Sequence, residues 1–213
     1  MTAAADDGTA RSEVAQRGDE GRGGVRSRLL VLLAIAGLLA GAVGNAIPTF
    51  TVDSSVARGI DEFLAGLLLA AGSLASIAGR IGSGWVADRR GSLGIAELAT
   101  LTAIGALACA ALALSHDSDA LFAVAAIAGF GAGWGWAGVI YFAVVRTHPQ
   151  APAAATAFVL SVVFVGNVIG PAGVGFIAQH GSYELAWGVG AAVLALATAA
   201  ALAARQASRP VAS

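Results

Sequence analysis

The sequence predicts an all-α integral membrane protein with six transmembrane helices, and three observations carry that prediction. Hydrophobic residues make up 57% of the 213 positions, against roughly 45–50% in a soluble domain, and mean hydropathy is +0.79. Twelve basic and thirteen acidic residues are too few to coat a water-soluble fold of this size. The apolar residues also fall into blocks longer than the ~18 that mark a membrane helix. None of these blocks alternates as a barrel strand would, which leaves helices as the spanning form.

Residues 1–27 stand apart, with four Arg, five acids, no aromatics and almost no large apolar side chains. Such a segment buries too little surface to offset its chain entropy, and a disordered N-terminal tail is expected. It lacks the apolar core and small-residue cleavage site of a signal peptide. Six apolar blocks follow over 28–205, at 29–51, 62–87, 93–115, 120–146, 152–179 and 183–205, with a short tail at 206–213. Each is long enough to cross ~30 Å of hydrocarbon at ~1.5 Å per residue. The links between them are short, so neighbouring helices are expected to run antiparallel.

Arginine placement gives a direction. Arg22, Arg26 and Arg28 precede the first block, and Arg80, Arg89 and Arg90 flank the link between the second and third. Arg146 closes the fourth, and Arg205 and Arg209 follow the sixth. Only Arg58 falls on the opposite side, among Asp53, Asp61, Glu62, Asp117, Asp119 and Glu184. Positive charge accumulates on the cytoplasmic side, so both termini are expected in the cytoplasm of a cell carrying this multi-pass protein in its plasma membrane.

The net charge of −1 gives no reason to expect a nucleic-acid partner; the partner that composition demands is the lipid bilayer. All twelve basic residues are Arg, which with the abundant Ala and Gly reads as coding bias rather than mechanism. Cys109, the one cysteine, lies inside an apolar run and supports neither a disulfide framework nor a thiolate metal site. His116 and His180 fall outside and His148 inside, all in loops without ligand spacing. No converging acid–base or nucleophilic group lies in the spans, and there is no nucleotide-binding loop. An enzyme is not expected, nor a metal, nor a cofactor.

The link after the second block reads G-x-x-x-D-R-x-G, from Gly84 through Asp88 and Arg89 to Gly91. Gly84 would admit a neighbouring helix, Asp88 would meet exposed N–H groups or a cation, and Gly91 would permit a tight turn. This motif resembles the conformational loop that follows the second helix of each six-helix half in the major facilitator superfamily. That pattern usually ends in two further basic residues, where this chain has Ser92 and Leu93. The glycine-rich AGFGAGWGWAGVIYFAVV of the fourth block and GNVIGPAGVGF of the fifth also resemble helices of a facilitator half. The uncharged stretch Ala123 to Ile127 and the Arg-rich leader favour the C-terminal half. The resemblance implies transport of a small solute, of unspecified identity, by alternating access. It also implies a second six-helix half, or a second copy, to complete the pathway. A truncated or non-transporting membrane subunit is the alternative.

Polar side chains within the blocks mark candidate pathway residues. Asn45 shares a helical face with Leu38, Gly41, Pro48, Thr49 and Val52. Pro48 frees the carbonyl of Gly44, and Pro171 frees that of Asn167 near the centre of the fifth block. Each site joins a carboxamide to an unpaired backbone oxygen, as a wet cavity or an interhelical hydrogen bond would require. Ser73, Ser76 and Ser161 are weaker candidates, since a helical Ser can bond its own backbone. Trp134, Gly138 and Tyr141 share a face in the fourth block, with Trp136 nearly opposite. They suit either cavity lining or packing against glycine. Gly131 with Gly135, and Gly166 with Gly170, have the G-x-x-x-G spacing of helix contacts. No Asp, Glu, His, Arg or Lys is expected in the central part of any span; Glu97 lies in the first turns of the third.

Overall fold

The computed structural model describes the backbone of residues 3–208 and the side chains of residues 27–208. The disordered tail expected over 1–27 lies, except for Ser27, outside the described side chains, as do residues 209–213 of the C-terminal tail. Six helices follow in order: α1 (Ala3–Ala57), α2 (Glu62–Arg90), α3 (Ile95–Ala113), α4 (Asp119–Thr147), α5 (Pro152–His180) and α6 (Tyr183–Ala207). Each holds a span long and apolar enough to cross a membrane, with that of α1 running over Ser27–Ala57. No strand is present among the described residues.

Local chemistry sets the helix ends. The side chains of Asp61, Ser118 and Ser182 accept from the N–H groups of Phe63, Leu121 and Leu185, capping α2, α4 and α6. Gly91 ends α2 in the left-handed region at φ 56°, where a Cβ would be strained. Pro152 opens α5 at a position whose N–H has no helical partner anyway.

The helices form two layers. α3 and α6 pack on each other at the back, and α4 and α1 lie over them; α2 flanks α4, and α5 flanks α1. The core fills the space between layers, with Trp136, Trp187, Phe122, Leu33, Ile47 and Leu98 wholly buried. α2 and α5 bury little of themselves and carry exposed Phe63, Leu74, Ile81, Val168 and Phe176.

Helix crossings depend on absent side chains. A Cβ on Gly166 would run into Leu38 O, and one on Gly170 into Ala42 O, so α5 lies backbone to backbone on α1. In the same way Gly79 of α2 meets Gly131 O of α4, and a Cβ on Gly135 would stand 3.3 Å from Gly79 O. Ser83 Oγ adds a 2.7 Å hydrogen bond to Gly135 O. Such proximity maximises dispersion contacts where lipid leaves no hydrophobic drive for helices to associate.

Candidate functional site

The two Asn–Pro positions of the sequence meet in space. Asn45 Nδ2 of α1 donates to Asn167 O of α5 at 2.9 Å, the carbonyl that Pro171 cannot engage four residues on. Asn167 Oδ1 is buried without a hydrogen-bond partner, close to Gly41, where an added Cβ would lie 2.7 Å away. One turn beyond Asn45, Thr49 is exposed and its Oγ1 donates to Asn45 O at 2.7 Å. The open stripe of α1 therefore runs from Asn45 through Thr49 to Asp53.

On α4 the two tryptophans part as their spacing requires. Trp136 is buried, donates Nε1 to Gly133 O and fills the space beside Gly37 and Gly44 of α1. Trp134 and Tyr141 are half-buried, with Gly138 exposed between them. They lie roughly opposite Ala132 and Val139, which stand against Gly105 and Gly94 at the α3 side.

Sequence reasoning missed a fourth member of this face. Arg80 sits four residues past residue 76, the midpoint of α2 (Glu62–Arg90), and its guanidinium lies 4.9 Å from the Trp134 ring centroid. Its depth follows from α3, whose 19 residues cover about 28 Å, close to the hydrocarbon thickness. A Cβ on Gly135 would lie 3.3 Å from Gly79 O and 3.4 Å from Leu101 Cδ2. Leu101 is six residues into α3, so Arg80 enters about 9 Å inside that end of the bundle. The expectation of spans free of charge in their central part is thereby corrected. Arg80 falls inside the expected block 62–87 but charge placement groups it with the charges flanking the next link, whereas α2 continues for ten residues beyond it.

The G-x-x-x-D-R-x-G segment closes α2. Arg89 stacks on Trp85 at 3.9 Å. Arg90 Nη1 approaches Glu97 Oε1 at 3.7 Å, and Ser92 Oγ donates to Glu97 Oε2 at 3.0 Å. Asp88 is exposed; its carbonyl accepts from Gly91 N at 3.2 Å, and its carboxylate has no ion pair among the described residues. No described atom comes within 4 Å of a Cβ on Gly84. Within this chain, α2 approaches α4 closely at Gly79, one and a half turns earlier.

At the opposite end Arg58 joins α1 to the α3–α4 link. Its Nη2 donates to Ser115 O at 2.5 Å and faces Asp119 Oδ1 at 3.5 Å, and the guanidinium lies 4.8 Å from the Phe122 centroid. It borders a cleft of about 320 Å³ with Tyr183, Glu184 and Trp187. Among the described residues, no three His, Cys, Asp or Glu side chains converge as metal ligands would.

Six spans in two layers, with polar and aromatic side chains on uncovered faces, define a multi-pass membrane protein. The family model of the Major Facilitator Superfamily matches residues 29–213, and the chain belongs to that superfamily. Members are transporters rather than enzymes. Comparison with curated proteins returned no match.

Proposed function

We propose that the chain is one six-helix half of a secondary carrier that moves a small solute by alternating access. The observation that carries this reading is exposed Arg80 set against Trp134, on the α4 face that also holds Tyr141, with Thr49 exposed on α1. Polar and aromatic groups at membrane depth are left uncovered there, while the opposite sides of α1 and α4 are packed. Side chains of this kind in a membrane face a bundle interior or a wet cavity, and carriers bind their substrate at the midplane between two halves. A second six-helix half, or a second copy, would cover the face. Asn45 and Asn167 border it, the two G-x-x-x-G pairs hold the crossings beneath it, and the Gly84–Gly91 segment is the cytoplasmic hinge. Both termini then lie in the cytoplasm, with the protein in the plasma membrane.

The Asn45–Asn167 hydrogen bond favours a second reading, a six-helix subunit that assembles with a partner without transporting. The mass of the particle extracted into nanodiscs, corrected for lipid, separates the two. Two chains, or one with a six-helix partner, support the carrier. A stable single chain of 20.9 kDa puts the non-transporting subunit first.

A further inference from the structure

We infer that Arg80 is the contact for a small organic monocarboxylate, seated over the open face between α2 and α4; the inference rests on the carrier reading above. Three features lead to it. A guanidinium inside the hydrocarbon layer is costly, so it persists where it meets water, protein or an opposite charge. Arg80 is exposed, and among the described residues its side chain makes neither a hydrogen bond nor an ion pair. The Trp134 ring occupies one side of the guanidinium, an arrangement that leaves N–H donors at its edge for a ligand.

The number of charges selects the class of ligand. Arg28, Arg58, Arg89, Arg90, Arg146 and Arg205 lie at or near the ends of the membrane-spanning segments, so Arg80 is the single described cation at this depth. A monoanion neutralises it, whereas a dianion would keep an uncompensated charge in a low-dielectric site. A carboxylate matches the planar fork with two parallel hydrogen bonds. Ile77, Ile81 and Gly138 lie exposed nearby along the same helices and suit a short apolar body on that carboxylate.

The test uses the full chain in nanodiscs and equilibrium dialysis of radiolabelled lactate and benzoate, with glucose and choline chloride as competitors. Saturable carboxylate binding that glucose and choline do not displace is expected. Arg80→Gln should weaken it at least about tenfold, the loss of a charge-assisted pair, and Arg80→Lys should restore part of it. Elution volume and helical circular dichroism confirm that the variants fold. Unchanged affinity in folded Arg80→Gln overturns the assignment, as does failure of both carboxylates to bind the folded wild-type chain. Uptake into proteoliposomes is read separately. Arg80-dependent binding with no solute crossing the membrane would sink the carrier reading and leave the site standing. Uptake of glucose or choline without carboxylate binding would do the reverse.

Discussion

Replacing Gly170 with alanine tests the backbone contact between α1 and α5. The added Cβ would meet Ala42 O and stand 2.5 Å from Ala42 Cα, where carbon atoms in contact prefer about 3.5–4.0 Å. α5 must therefore retreat by about 1 Å at this crossing. Overpacking of that kind costs about 1–3 kcal/mol. The same retreat stretches the Asn45–Asn167 hydrogen bond from 2.9 Å beyond bonding range, forfeiting about 0.6 kcal/mol more. The variant should lose about 2–3 kcal/mol, measured by reversible unfolding in mixed micelles. Gly173→Ala is the control on the same helix. A Cβ there meets no atom within 4 Å, and alanine's helix propensity should leave stability unchanged or raised by up to about 1 kcal/mol. If Gly170→Ala unfolds like wild type, or if both variants lose the same amount, the close crossing is refuted.

Three further outcomes are expected. Arg58→Met should lose about 2 kcal/mol, because it removes a charged hydrogen bond to Ser115 O while the exposed Asp119 partner adds little; thermal unfolding reads this. Cys109 is buried and should resist water-borne maleimide in intact membranes. In a Cys109→Ala background Thr49→Cys should label and Ser76→Cys should not; equal labelling of both would contradict the exposed and buried placements. Glu97→Ala removes the acceptor for Ser92 and the partner of Arg90, so trypsin should nick the α2–α3 turn after Arg89 or Arg90 severalfold faster. An unchanged cleavage rate would show that the turn is held by its glycines alone.

Much of the fold was legible because membrane helices announce themselves through uninterrupted apolar length, and the six observed helices track the six blocks. The opposed placement of Trp134 and Trp136 was legible too, since helical periodicity fixes it. The depth of Arg80 was not: it lies inside the 62–87 block, yet charge placement groups it with Arg89 and Arg90 at the helix end, ten residues further on. Nor was the meeting of Asn45 with the Asn167 carbonyl, a contact across 122 positions that no local pattern encodes. The α2–α4 contact at Gly79 was not legible either, because the crossing of the two helices decides which glycine it needs.

The pairing of α1 with α5 and of α2 with α4 also governs how the protein can be made. Neighbours along the chain, α1 with α2 and α5 with α6, share smaller contacts than these interleaved partners. Apart from the α3–α4 pair, helical hairpins delivered to the bilayer one after another therefore hold few of the final contacts when they arrive. The surface of α1 around Leu38 and Ala42 waits in lipid until the fifth span emerges from synthesis, with the Asn45 amide lacking its eventual acceptor. Interruption of translation before Asn167 would leave that amide exposed to membrane quality control.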